Sequence, residues 1–102
     1  MILHCVFLKM PAAATTADVL KLYGAVAALK PIIPGMLDFK AGPNVSPEGL
    51  DRGFHHGFVV TFDDEAARDA YLIHPEHVKV GNRIVAATDG GLEGILVYDL
   101  SV

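Results

Sequence analysis

Histidines are the residues of this sequence whose type and spacing best suit chemistry. Five histidines occur among 102 residues, and an imidazole titrates close to neutral pH, so it can accept or release a proton in catalysis. His4 and His56 each stand in an alternating run beside large apolar residues, and His77 follows Tyr71 in a helical stretch. If the four side chains converge, they put three imidazoles and a phenol into a mostly apolar pocket, the usual composition of a small-molecule site.

Other interpretations of the reactive side chains stay open at this point. Any one of these histidines could simply be a core residue with a satisfied hydrogen bond. Three histidines could hold zinc, but no spacing forces them together, so we expect no metal and no cofactor. We expect His55 on the opposite face of its strand and His74 as a helix cap. Cys5 is the single cysteine, and we expect it to be a small buried apolar residue rather than a nucleophile.

Composition excludes several classes of protein. Hydrophobic residues make up 52% and charged residues 20% of the chain, which excludes a disordered protein. The net charge is −4, and the 8 Lys and Arg residues do not cluster, so no nucleic-acid partner is expected. No apolar run reaches the roughly 18 residues of a membrane span. The apolar N-terminus is not preceded by the basic residues of a secretory signal, which favours a cytoplasmic protein.

Periodicity predicts the elements that would position these side chains. Residues 2–9 alternate with apolar side chains on both faces, which is typical of a strand covered on both sides. Thr15 and Asp18 have the pattern of a helix start, and the apolar stripe that follows includes Tyr23 and Val26. The remaining segments are strands at 36–41, about 54–62 and 94–100, and a helical region after 62 that is divided at Pro75.

The predicted order β-α-β-β-α-β is the ferredoxin-like plan, an α+β fold with a four-stranded antiparallel sheet and helices on one face. We expect it to form one domain over residues 1–102. Helices can cover only one face of the sheet, yet the first strand also carries Leu3, Cys5 and Phe7 on the other. A monomer rarely exposes an apolar face of that size. A second copy of the chain is the simplest cover, so we expect a homodimer.

Four segments of the chain resemble the stress-responsive A/B barrel (Dabb) family. They match in order and spacing, and the most specific are the Tyr-x-x-His-Pro-x-His segment and the Gly-aromatic-x-His strand. The segments are Ile2–Lys9, Ile33–Gly35, Gly53–Phe62 and Tyr71–Val78. The resemblance implies a ferredoxin-like fold whose sheets close into a dimeric α+β barrel.

The resemblance also implies roles for individual residues. In a plant polyketide cyclase of the family, which works without metal, the catalytic tyrosine and histidine occupy the positions of Tyr71 and His77. The histidines of its first and third strands fall on His4 and His56. Its first helix contributes two aromatic residues to the pocket where this chain has Tyr23 and Val26, and we expect Phe58 beside them. One of these aromatic residues is therefore lost here, and Thr88 occupies about the position of a tryptophan in the cyclase. We therefore expect a different substrate.

Three functions remain open on this basis. In the first, His77 removes a proton next to a carbonyl group of a small, largely apolar substrate, and Tyr71 hydrogen-bonds the enolate oxygen. In the second, the dimer binds a hydrophobic metabolite or persists as a stress-associated protein without catalysis. The third, a cofactor-free oxygenase, rests on fold sharing alone. Some family structures also hold a cation on carbonyls that would correspond to Lys30, Ile33 and Met36, which we interpret as incidental.

Overall fold

The structure is a computed structural model that describes residues 1–102. Its strands are β1 Ile2–Leu8, β2 Met36–Pro43, β3 His56–Phe62 and β4 Ile95–Ser101. Its helices are α1 Thr16–Ala27, α2 Glu65–Ile73 and α3 Pro75–Ala87, and a 3₁₀ turn spans Gly91–Gly94. The strands form one antiparallel sheet in the order β2-β3-β1-β4, which confirms the ferredoxin-like α+β fold.

Local hydrogen bonds explain where the helices begin. The Thr15 hydroxyl accepts the N–H of Asp18 at 3.1 Å, and the Asp18 carboxylate accepts the N–H of Thr15 at 2.9 Å. This reciprocal pair satisfies two backbone donors that a helix start leaves free. Between α2 and α3, His74 has an extended backbone, and its Nδ1 accepts the N–H of Glu76 at 3.1 Å. The expected helix cap at His74 is therefore confirmed, with Pro75 in the first turn.

The core lies between the helices and one face of the sheet. The largest fully buried side chains come from two strands and two helices, namely Leu8, Val26, Val60, Phe62 and Tyr71. Burying each contributes roughly 1.5–3 kcal/mol to folding. None of the three helices is long and apolar enough to cross a lipid bilayer.

Strand β3 begins two residues later than its sequence pattern predicts. Gly53 has a positive φ of 88°, and the N–H of Phe54 donates to the carbonyl of Asp51 at 3.0 Å, so a turn occupies these positions. The Phe54 ring instead lies beneath the Lys9 ammonium, 4.8 Å away. The expectation that His55 lies within the strand is wrong, because His55 belongs to the turn and pairs with Asp51 at 3.2 Å.

The outer face of the sheet carries no helix and is apolar. In the register of β1 and β4, Leu3 stands opposite Leu100, Cys5 opposite Tyr98 and Phe7 opposite Leu96. Leu96, Tyr98 and Leu100 are 46%, 59% and 41% exposed. We call this surface the outer sheet face.

Candidate active site

His4, Tyr71 and His77 lie together where β1 meets the junction of α2 and α3. The ring centroids of Tyr71 and His77 are 4.0 Å apart, and those of His4 and Tyr71 are 5.8 Å apart. Phe62 packs against Tyr71 with a centroid distance of 4.9 Å. His4 and Tyr71 are only 5% and 2% exposed. The structure thus brings together three of the four side chains expected to converge.

A carboxylate and a guanidinium hold His4 in place. Nδ1 of His4 donates to Oδ1 of Asp99 at 2.7 Å, and Oδ2 of Asp99 accepts from Arg68 at 3.0 Å. Arg68 also donates from Nε to Asp69 at 3.0 Å. Because a carboxylate can only accept, Nδ1 of His4 must carry a proton, and in a neutral ring Nε2 carries a lone pair.

Asp99 and Arg68 are not among the site residues that the sequence patterns predict. Two signals could have found them. Asp99 is the single charged residue of strand β4, and Arg68 precedes Tyr71 by three positions, so both side chains leave the same face of α2.

The environment of His77 suits a proton acceptor. Its Nδ1 donates to the carbonyl of Leu72 at 3.2 Å, so Nε2 of the neutral ring has a free lone pair. Burial lowers the pKa of His77 below its ordinary value of 6.5, the charges of His4 and His74 lower it further, and the bond to Leu72 opposes them. A histidine that is neutral at physiological pH with an available nitrogen can act as a general base.

Tyr71 is suited to the opposite role. Burial raises its pKa above the ordinary value of 10, so the phenol keeps its proton and can donate a hydrogen bond. The hydroxyl has no partner within the chain, yet no fully sequestered side-chain nitrogen or oxygen is unpaired. The Tyr71 hydroxyl must therefore reach space that solvent or a ligand can enter.

His56 lies at a different place from the other three rings, so the expectation of one shared cavity is wrong. His56 stands opposite Leu8 of β1, four residues along from His4, which is roughly 14 Å at the rise of a strand. It lines a cavity of about 300 Å³ together with Tyr23 and residues of α1 and β2. Neither His4, Tyr71 nor His77 lines this cavity.

The other predicted ligand-binding residues divide between this cavity and the core. The Tyr23 hydroxyl accepts the N–H of Gly57 at 3.1 Å and donates to the carbonyl of Gly42 at 3.4 Å, so it ties α1 to two strands. Phe58 is 4% exposed and packs on the Tyr23 ring with a centroid distance of 6.3 Å. Val26 is fully buried. Their ligand-binding roles stay predictions.

Two further expectations concern reactive or coordinating groups. Burial raises the pKa of the Cys5 thiol, and the negative charge of Asp99 adds to the effect, so Cys5 is a poor nucleophile. No three His, Cys, Asp or Glu side chains lie close enough to hold a metal ion. The carbonyl of Ile33, one of the proposed cation contacts, accepts the N–H of Met36 at 3.3 Å.

Comparisons with known proteins agree with this architecture. The sequence model described as Stress responsive A/B Barrel Domain matches residues 2–102. Olivetolic acid cyclase of Cannabis sativa is 32% identical over 79 residues, which cover 78% of each chain. The stress-response A/B barrel domain-containing protein HS1 of Arabidopsis thaliana is 34% identical over 79 residues, 78% of this chain and 69% of HS1.

A solved structure supports the same relationship. The crystal structure of a dimeric ferredoxin-like protein of unknown function from Jannaschia sp. CCS1 superposes with a TM-score of 0.89. It is 36% identical in sequence, and the match covers 99% of this chain and 98% of that chain. The chain belongs to the stress responsive A/B barrel domain family.

Proposed function

We propose that this protein is a cofactor-free enzyme that transfers protons on a small, largely apolar carbonyl compound. The observation that carries the proposal is the pairing of two complementary groups at a ring distance of 4.0 Å. His77 is neutral with a free nitrogen, and Tyr71 keeps its proton because it is buried. A base and a hydrogen-bond donor side by side are what enolate formation requires.

The reaction begins with proton removal. Nε2 of His77 takes a proton from the carbon next to the carbonyl, and the C–H electron pair forms a double bond to the carbonyl carbon. The carbonyl π pair moves to oxygen, and the Tyr71 hydroxyl donates a hydrogen bond to the enolate oxygen. The enolate carbon then either regains the proton from His77 or attacks a second carbonyl of the substrate. In the second case the π pair of that carbonyl moves to its oxygen, which takes the proton from His77. No electron leaves the substrate, so the sequence balances without an oxidant.

The neighbouring side chains supply orientation in this proposal. Asp99 and Arg68 hold the His4 ring beside Tyr71, with 5.8 Å between the ring centroids. The related cyclase, at 32% identity, supports ring closure as the outcome of the enolate step.

A second candidate function is ligand binding without catalysis. The cavity of about 300 Å³ at His56 and Tyr23 is at the lower end of the range for small-molecule pockets. It lies apart from His77 and Tyr71, so an apolar ligand could occupy it without meeting the base. Phe58 pairs with Val6 between the two regions, so a ligand that reached both would have to displace core side chains.

Deuterium exchange separates the two candidates. The protein is incubated with alkyl ketones such as 2-octanone in D2O, and loss of the α-hydrogen signal is followed by ¹H NMR. We expect acceleration by the wild type and a loss of about 10²–10⁴-fold in His77→Gln. His55→Gln, which alters an exposed turn residue, is the matched control. Unchanged exchange in His77→Gln contradicts the enzymatic role, and resonance shifts at His56 without exchange favour ligand binding.

We also propose that two copies associate through the outer sheet face. An uncovered apolar sheet of this kind favours a symmetric partner, and the Jannaschia relative is described as dimeric. Tyr98→Asp should dissociate the dimer, because it places a charge in the apolar contact. Ile32→Asp, at a residue 48% exposed outside the sheet, should leave the mass unchanged. A monomeric mass of the wild type in sedimentation at micromolar concentration contradicts this proposal.

A further inference from the structure

A groove of about 570 Å³ lies between the segment that enters α1 and the C-terminal half of α3. It is on the helical side of the molecule, so a partner on the outer sheet face would leave it open. Its surface is mostly small and apolar, with contributions from Met10, Ala13, Ala14, Leu22, Ala86 and Ala87. None of the residues of the candidate active site lines it. We call it the α1–α3 groove.

Two basic residues in this groove have no acidic partner. Lys21 of α1 and Arg83 of α3 both line it, and neither forms an ion pair within the chain. By contrast, Lys40, Arg68 and Lys79 each pair with a carboxylate at 3.0 to 3.1 Å. The groove thus carries two of the 8 basic residues of a chain that has 12 acidic ones. Two cations that line the same groove from different helices give it a positive potential, which favours an anionic ligand.

The single carboxylate in the groove does not supply that anion. Asp18 lines the groove, but its carboxylate accepts the N–H of Thr15 as part of the helix cap. The hydrogen bond from Thr15 is also the main reason why the pKa of Asp18 is lowered, and nearby Lys21 adds a smaller effect. The groove therefore keeps a net positive charge with Asp18 ionised.

We propose that the α1–α3 groove binds a monocarboxylate with an alkyl chain, in the manner of a medium-chain fatty acid. The carboxylate lies between Lys21 and Arg83, whose guanidinium can bind both oxygens. The alkyl chain lies over the alanines, whose methyl groups leave room for a slim chain and bury its apolar surface. The groove has no aromatic side chain to stack a nucleotide base, and its apolar floor gives a bare inorganic anion nothing to contact.

The test is an NMR titration of the full chain with octanoate. We expect resonance shifts concentrated at Met10, Ala13 and Ala86. Lys21→Gln and Arg83→Gln should each weaken octanoate binding about three- to fivefold, the scale of an exposed charge pair. Lys30→Gln is the matched control, because it removes the same charge just beyond the end of α1 and outside the groove. All three residues are exposed, so the variants should fold normally.

Two reference compounds test which parts of the ligand matter. Octanamide has the same chain without the charge, and inorganic phosphate has charge without a chain; both should bind more weakly than octanoate. Equal affinity for octanamide contradicts the role of Lys21 and Arg83, and equal affinity for phosphate contradicts the role of the apolar floor. The proposal is also overturned if Lys30→Gln weakens binding as much as Lys21→Gln, or if the shifts occur at the His56 cavity or on the outer sheet face.

Discussion

His4 and Asp99 are direct cross-strand partners of β1 and β4, and their side chains meet in a 2.7 Å hydrogen bond. The register of the two strands therefore places the Asp99 carboxylate next to the His4 imidazole. Arg68 holds the second oxygen of Asp99 from helix α2. The direction of the His4 ring is thus set by one strand and one helix that are far apart in sequence.

The first prediction concerns the stability that this arrangement provides. Asp99→Asn should lower the free energy of unfolding by about 1–3 kcal/mol, because half-buried Arg68 loses a charged hydrogen-bond partner. Asp69→Asn removes the other carboxylate on Arg68, but Asp69 is 66% exposed, so its loss should cost less than about 1 kcal/mol. Urea denaturation of the two variants measures the difference. Equal losses would show that Asp99 is no better a partner than a surface carboxylate.

The second prediction concerns pH. Burial lowers the pKa of His77 below 6.5 in the folded protein, whereas an unfolded chain titrates near about 6.5. As the pH falls through about 6.5, His77 binds a proton in the unfolded chain but not yet in the folded protein, so the free energy of unfolding decreases. The decrease in the free energy of unfolding is complete once the pH lies below the pKa of His77 in the folded protein. Denaturation at about pH 7.5 and about pH 5.5 should show a smaller decrease in His77→Gln than in the wild type; an equal decrease contradicts the burial effect.

The third prediction separates structure from chemistry at Tyr71. Because its hydroxyl has no partner within the chain, Tyr71→Phe should change the free energy of unfolding by less than about 1 kcal/mol. In the proposed reaction it should reduce proton transfer about 10²–10³-fold, as expected for one lost donor to the enolate oxygen. Tyr71→Ala empties a core position that is 2% exposed and should cost about 3–5 kcal/mol. An unchanged rate of proton transfer in Tyr71→Phe would show that the Tyr71 hydroxyl takes no part in the reaction.

The fourth prediction compares two glycines. A Cβ at Gly57 would lie 2.8 Å from Cδ1 of Phe7 and 3.2 Å from the carbonyl oxygen of Val6, so Gly57→Ala should destabilise by about 1–3 kcal/mol. Gly24 lies in helix α1 with nothing within 4 Å of such a Cβ. Gly24→Ala should therefore stabilise by about 0.5–1 kcal/mol. Thermal unfolding of both variants measures whether each substitution raises or lowers stability. A lower stability of Gly24→Ala would contradict the conclusion that α1 has room for a methyl group at position 24.

Sequence patterns located the elements because their causes are local. The helix start at Thr15 depends on a partner three residues away, and the division at His74 depends on the proline beside it. Alternation in strands also placed His4 and His56 correctly on the face toward the helices, because side chains repeat every two residues. The family could be recognised for the same reason: its specific segments are short and contiguous.

Alternation predicts the face of a strand on which a side chain lies, but not its position along the paired strands. That position determines whether His4 and His56 can share one site. The antiparallel register puts His56 beside Leu8 at one end of β1 and leaves His4 near the other. The relay from His4 through Asp99 to Arg68 is likewise non-local, since it joins residues 95 and 31 positions apart. By itself the sequence determined the elements, their order and the sheet face that His4 and His56 occupy. Only the tertiary structure decided which of those side chains touch, because contact between distant segments depends on register and helix packing that no local pattern encodes.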